Sequence, residues 1–241
     1  MLLSEPNLPV PNLNPNNQLT PNPAILATKL AKSVGEGDNT IVILRDLSLE
    51  VAQGESVAIV GSSGSGKSTL LALLAGLDNP SSGNVAVEGL DFSALDEDAR
   101  AAVRGKRMGF VFQSFQLLST MTALENVMLP LQLANRADAE LVAITTLEKV
   151  GLSERLTHYP KQLSGGEQQR VAIARAFAPK PSILFADEPT GNLDIATGER
   201  IIDLLFSLNK ASNSTLILVT HDEKLAQRCE RVLVLSNGQL T

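Results

Sequence analysis

A short apolar run, Ser56-Val57-Ala58-Ile59-Val60, ends abruptly in Gly61-Ser62-Ser63-Gly64-Ser65-Gly66-Lys67-Ser68-Thr69, and residues 67–77 then read as a buried helix. A strand that passes through a small-residue loop straight into a helix is a unit of layered α/β folds. The loop matches G-x-x-x-x-G-K-[ST]. Its glycines let backbone N–H groups turn toward anionic oxygens, where side chains would intrude. Lys67 is then placed to reach the β and γ phosphates of a nucleotide, and the Ser68 hydroxyl to bind Mg2+. The following helix aims its N-terminal partial positive charge at the same phosphates. The competing reading, a Gly/Ser-rich surface turn, leaves the flanking strand and helix without a role.

Strand and helix patterns alternate along the rest of the chain. Residues 40–51 and 84–87 read as strands, 96–104 as a short helix capped by Asp96, and 108–112 as an apolar strand. Residues 122–134 and 138–150 read as helices, the second with Asp138 as N-cap, and 165–177 as a helix that stops before Pro179. Residues 183–186 and 215–219 are continuous apolar runs, the pattern of strands covered on both faces. A helix at 197–208 lies between them, and 231–235 is a final strand before a turn at Asn237-Gly238. The alternation predicts an α/β fold with a mainly parallel sheet. The stretch from 122 to 159 has no strand pattern and is expected as a helical subdomain inserted in that core.

Residues 1–23 are rich in Pro and Asn and nearly uncharged, so a disordered tail is expected there, with the ordered domain spanning 24–241. The longest apolar stretch, residues 70–77, is far short of the roughly 20 residues that a membrane span needs. The start, Met1-Leu2-Leu3-Ser4-Glu5-Pro6, has neither a basic nor an apolar signal region, so no signal peptide is expected. Cys229 is the single cysteine, which excludes an intrachain disulfide and fits a reducing cytoplasm. The formal charge of −6, without a dense Lys/Arg block, argues against a nucleic-acid partner.

A second chemical centre follows the run Ile183-Leu184-Phe185-Ala186, which delivers Asp187 to a strand tip with Glu188 beside it. Ligands of open α/β sheets sit at such tips. Asp187 is suited to hold Mg2+ through a water, and Glu188 to deprotonate the attacking water. A strand ending in two acids is by itself a weak signal. His221 follows the strand at 215–219. A lone histidine is more often structural, yet at this tip it can bond a γ-phosphate and hold Glu188 and the water in register. Gln113 follows the strand at 108–112, where a neutral amide can contact Mg2+ or the water. His158, Tyr159 and Cys229 take bland readings: surface, packing and packing.

Upstream of Asp187 lies Leu163-Ser164-Gly165-Gly166-Glu167-Gln168-Gln169-Arg170, a small-residue turn running into a polar helix start. This run resembles the signature motif of the ATP-binding cassette (ABC) ATPases. The phosphate loop, Gln113, signature, Asp187-Glu188 and His221 stand in that family's order, and Asn192-Leu193-Asp194 looks like its D-loop. The wording of residues 109–118, 122–127 and 186–194 resembles the LolD/MacB group and, within it, YbbA-type subunits. The resemblance implies a P-loop NTPase core with a mainly parallel sheet, an antiparallel β subdomain holding 40–51 and 84–87, and a helical subdomain at about 114–163. It implies ATP and Mg2+ as cofactors, with Ser68, Gln113 and Asp187 near the metal and Lys67, Glu188 and His221 catalytic.

It also implies partners. Ser164, Gly165, Gly166 and Glu167 would meet the γ-phosphate held by the phosphate loop of a second copy, so ATP would glue a homodimer. A chain without a span would power a separately encoded integral-membrane permease from the inner, cytoplasmic face of the membrane. Residues 114 to about 132 are the expected docking segment, with Phe115, Leu117, Leu118 and Met121 as exposed apolar contacts. Export, lipid or lipoprotein extraction and mechanotransmission are all compatible loads. Two other classes compete: a soluble ABC ATPase acting on nucleic acid or ribosomes, and a nucleotide sensor without turnover. The first usually carries two cassettes or long coiled coils, absent here; the second has no use for Lys67, Asp187, Glu188 and His221 together.

One position departs from the family pattern. The run Lys32-Ser33-Val34-Gly35 puts Val34 where most ABC subunits carry an aromatic ring that stacks on adenine. Val34 offers apolar contact but no ring, so base selectivity is expected to be weak. In a steady-state phosphate-release assay at equal concentrations, GTP should be hydrolysed at a rate comparable to ATP; a strong preference for ATP would contradict this.

Overall fold

The computed structural model describes residues 22–35 and 37–241, so the expected tail lies outside the described residues apart from Asn22 and Pro23. Along the chain run β1 (Ile25–Val34), β2 (Ile41–Val51), β3 (Ser56–Val60), α1 (Lys67–Leu74), β4 (Ser82–Val87), β5 (Leu90–Asp91), α2 (Glu97–Arg107) and β6 (Met108–Phe112). Then come α3 (Ala123–Leu133), α4 (Ala139–Lys149), α5 (Gly165–Phe177), β7 (Ile183–Asp187), α6 (Ile195–Ser212), β8 (Thr215–Val219), α7 (Glu223–Ala226), β9 (Arg231–Ser236) and β10 (Gln239–Leu240).

The strands of the described residues form two sheets. One has the order β10-β9-β3-β8-β7-β6 and is parallel except for β10, which pairs antiparallel with β9. The other, β2-β1-β4-β5, is wholly antiparallel. The expected α/β fold with a mainly parallel sheet and a separate antiparallel sheet is what the chain adopts. β8 is buried at every position and β7 at all but Asp187, as their unbroken apolar sequences require of strands covered on both faces. The sheets are joined where the Arg45 N–H donates to the Gly238 carbonyl at 2.8 Å.

Among the described residues three apolar clusters fill the interior. One lies between α1 and both sheets and contains Leu70, Leu74, Ile59, Phe185 and Leu30. A second packs α5 and α6 on the opposite face of the parallel sheet, through Ile173, Phe177, Ile201 and Leu205 against Leu184 and Leu216. The third unites α3 and α4, through Val127, Leu131 and Leu147, with Val171 and Ala174 of α5. Successive faces of α5 thus serve two cores at once. Cys229 belongs to the second cluster, and burial pushes its thiol up to about 12.

Several elements differ from the sequence expectation, each for a local reason. β1 is an inner strand of the antiparallel sheet, yet its pattern does not alternate: Lys29 has φ 48° and the register with β2 shifts between Ala27 and Leu30. A bulge adds a residue and breaks the period of two that marks a strand. α1 stops at Leu74 because Gly76 turns left-handed, with φ +62°, against the Phe92 ring. α6 starts earlier than expected because the Asp194 carboxylate accepts from the Thr197 N–H, and it runs on to Ser212. The chain continues past the Asn237-Gly238 turn into β10. Asp138 does not cap α4; its carboxylate binds Arg136 at 2.9 and 2.6 Å instead. Tyr159 is exposed rather than packed and His158 is half-buried. Of the expected docking residues only Leu118 is exposed; Phe115, Leu117 and Met121 are half-buried.

Candidate active site

β3, β8, β7 and β6 end at one edge of the parallel sheet, and each tip hands over a chemical group. Beyond β3 the phosphate loop turns through Gly64 and Gly66, at φ +78° and +99°. Gly66 precedes α1 in a left-handed conformation that side chains resist. A Cβ there would also press on Ile43 and Leu44 at 3.1 Å. The Lys67 ammonium donates to the carbonyls of Gly61 and Ser62 at 2.8 and 2.9 Å. Beyond β6 comes Gln113, beyond β7 Glu188, and beyond β8 His221.

These residues line a cavity of about 740 Å3 with Gly61, Ser62, Ser63, Gly64, Gly66, Lys67, Ser68, Thr69, Asp187 and also Ile43. Ser65 faces inward, its hydroxyl buried. Glu188 is a non-glycine residue with φ 46°, held there by its N–H bond to the Val219 carbonyl at 2.9 Å. Its Oε1 lies 2.9 Å from His221 Nδ1. Asp187 Oδ1 is buried without a hydrogen-bond partner among the described residues. Burial pushes the Asp187 carboxyl above its ordinary range; Ser68 and Lys67 oppose the rise, and the Glu188 charge adds to it.

An orphaned buried carboxylate oxygen beside a hydroxyl and an amide is a hard-oxygen donor set, which fits Mg2+. No group of three or more His, Cys, Asp or Glu among the described residues is placed to hold a metal.

The signature run lies elsewhere on the chain. Ser164, Gly165, Gly166 and Glu167 border a second cavity of about 580 Å3 together with Asn192, Leu193, Asp194, Arg170 and Arg200. Leu163 is buried and packs in the helical cluster. Val34 stands exposed at the end of β1 and is not among the residues lining the first cavity; Ile43 of the neighbouring strand is. Ser164 and Glu167 form a reciprocal cap on α5. The Ser164 hydroxyl accepts from the Glu167 N–H at 3.3 Å, and Glu167 Oε2 accepts from the Ser164 N–H at 2.8 Å. Arg155 donates to Oε1 of the same carboxylate at 2.8 Å. Asn192 ties this second cavity to a residue that lines the first: its Nδ2 donates to the Gln113 carbonyl at 3.0 Å.

Residues 44–191 match the family described as ABC transporter. The chain belongs to that family. It is 59% identical over 213 residues to the ABC transporter ATP-binding protein YbbA of Escherichia coli (strain K12), covering 88% of this chain and 93% of that one. It is 51% identical over 218 residues to the lipoprotein-releasing system ATP-binding protein LolD of Legionella pneumophila (strain Lens), covering 90% and 96%. A dimeric structure of the ATP-binding cassette MJ0796, in a post-hydrolysis state bound to ADP and Pi, superposes with a TM-score of 0.83 at 40% identity, over 90% of this chain and 96% of that one. The chain is therefore an ABC-type ATPase, an ATP-binding subunit of the LolD and YbbA type. No helix among the described residues is long and apolar enough to cross a membrane.

Several contacts of this ABC subunit leave no mark in the sequence: Ile43 in the cavity wall, Arg155 on Glu167, and the Asn192–Gln113 bond. Only the Ser164-x-x-Glu167 spacing left a legible signal, as a capping pattern. Its electrostatics give a pH test. The Ser164 N–H first, and then Arg155 and the Ser164 hydroxyl, hold the Glu167 carboxyl down at about 2 from an ordinary 4.5, against an opposing push from burial. A depressed carboxyl stabilises the fold fully above its unfolded value and loses that contribution as pH falls toward the folded one. Glu167→Gln should therefore unfold at lower temperature than the parent at neutral pH. The gap should shrink as pH falls from 4.5 toward about 2. Melting curves across that range check it.

Proposed function

We propose that two copies of this subunit close on ATP, the phosphate loop of one copy facing Ser164, Gly165 and Gly166 of the other. Closure would drive a separately encoded integral-membrane permease of the LolD/MacB type. The observation that carries the reading is the division of the chemistry between two cavities. Lys67, Ser68, Asp187, Glu188 and His221 line one, and the helix N-terminus that would complete the phosphate cage lines the other. The dimeric form of the related cassette and the printed role of the LolD relative support it.

In this reading the backbone of residues 61–69 cradles the phosphates and Lys67 neutralises the β and γ oxygens. Ser68, Gln113 and Asp187 would hold Mg2+, whose charge offsets that of the phosphates. Glu188 takes the proton of the attacking water, and His221, bonded to Glu188 at 2.9 Å, fixes its carboxylate and reaches the γ-phosphate. The amide groups at the start of α5, with Asn192, Leu193 and Asp194 beside them, meet the partner's nucleotide. Residues 114–163 form the helical subdomain that carries closure to a permease docked along residues 114 to about 132. The load is export, lipid or lipoprotein extraction, or mechanical signalling across the membrane. The subunit works from the cytoplasmic face without nucleic acid.

Two substitutions test the sandwich together. Glu188→Gln should keep ATP binding and lose steady-state turnover by roughly a hundred-fold or more, the scale of a general base. ATP should convert that variant to a dimer in light scattering. Adding Ser164→Arg should leave ATP binding to the monomer and abolish the dimer. Parent-like turnover by Glu188→Gln removes the base assignment, and dimerisation of the double variant removes the sandwich.

A further inference from the structure

Arg175 occupies the last turn of α5, where a cation would ordinarily serve the helix's own final carbonyls. Its donors go elsewhere. Nη1 donates to the Gln116 carbonyl at 2.6 Å and Nη2 to the Phe115 carbonyl at 3.0 Å. Both acceptors are non-glycine residues in left-handed backbone, with φ 60° at Phe115 and 48° at Gln116. Two such residues in succession persist only where surrounding contacts over-determine them. Arg175 is half-buried and makes no ion pair with a carboxylate among the described residues. Burial pulls its guanidinium below the usual range. A desolvated cation whose partners are two carbonyls of a strained turn is fitted to hold that turn.

The turn lies directly after Gln113. Its upstream end is fixed by Asn192, which donates to the Gln113 carbonyl, and its downstream end by Arg175. Helical side chains lean toward the helix N-terminus, so the guanidinium reaches back along α5 toward the signature. From the other side the Phe115 ring approaches the same helix: its Cζ lies 3.8 Å from where a Cβ on Gly165 would stand. One turn therefore touches α5 at both ends and carries Gln113 at its entrance.

We propose that Arg175 is a positioning residue for ATP turnover: by gripping the Phe115 and Gln116 carbonyls it fixes the turn that presents Gln113 to the phosphate cavity, in step with the signature end of α5. This rests on the assignment of Gln113 to the nucleotide made above. Lysine cannot substitute, because its compact ammonium lacks the planar fork that spans two successive carbonyls.

The test is a double-mutant cycle on the full chain, with kcat and KM for ATP measured for Arg175→Ala, Gln113→Ala and the pair. Arg175→Ala is expected to lower kcat roughly ten- to a hundred-fold, the scale of a misplaced catalytic group, with KM for ATP little changed. The double variant should be no slower than Gln113→Ala alone, since the arginine acts through the glutamine. If Gln113→Ala slows turnover while Arg175→Ala does not, or if the two losses multiply, the Arg175 proposal falls and the Gln113 assignment stands. If Gln113→Ala turns over like the parent, both fall. Should Arg175→Ala fail to fold, Arg175→Lys, which keeps the charge, carries the same cycle. Its kcat should drop and its loss should likewise vanish in the Gln113→Ala background; a parent-like kcat in Arg175→Lys would overturn the proposal.

Discussion

Phe112 pairs with Asp187 and Asp187 with Val219, while Ile59 pairs with the same Val219 from the other side. This parallel register brings four loops off the sheet at one level, and the site follows from it. Gln113, Glu188, His221 and the phosphate loop are scattered over 160 residues of sequence, yet each begins one or two residues beyond a paired strand end. Apolar burial fixes the strands, since a Leu, Ile or Val side chain taken fully from water contributes roughly 1.5–3 kcal/mol. β7 and β8 are almost wholly buried. The polar residues at the tips are placed by a core in which they take no part.

α5 is the second organising element. Ile173 and Phe177 pack on the parallel sheet, while Val171 and Ala174 pack on α3 and α4. Its buried Gln169 side chain donates to the Pro189 carbonyl at 2.6 Å, just past Glu188. Its first turn is closed by Ser164 and Glu167, and its last reaches the turn after Gln113. A displacement of the helical cluster relative to the sheet cannot leave this helix unaffected. Sites coupled in this manner share a physical element whose position both can bias.

The sequence made some of this architecture plain and concealed the rest, for reasons that can be named. The glycine loop at 61–69 is legible because the left-handed backbone at Gly64 and Gly66 admits few residue types, so the geometry writes itself as a pattern. β7 and β8 are legible because two covered faces demand unbroken apolar runs. β1 is hidden because the left-handed Lys29 breaks its alternation, although it is an inner strand of its sheet. The early end of α1 depends on Phe92, a residue sixteen positions beyond Gly76 whose ring sits against that glycine. Ile43 entered the cavity wall through the packing of one sheet on another, which no local pattern reports. The grip of Arg175 was invisible for a further reason. Its acceptors are carbonyls, and every residue carries one, so the sequence holds no mark of the bond.

The buried Cys229 has a practical side. With its thiol pushed to about 12 and packed in the core beneath α6 and α7, it stays unreactive toward labelling reagents that need a thiolate. It is also the only cysteine in the chain. The natural protein is thus already a silent background for site-directed spectroscopy. A single cysteine placed on the first turn of α5, or among residues 192–194, would accept a fluorophore or spin label alone. Distances across the molecule could then be followed through a turnover cycle without first stripping the chain of its own sulfur.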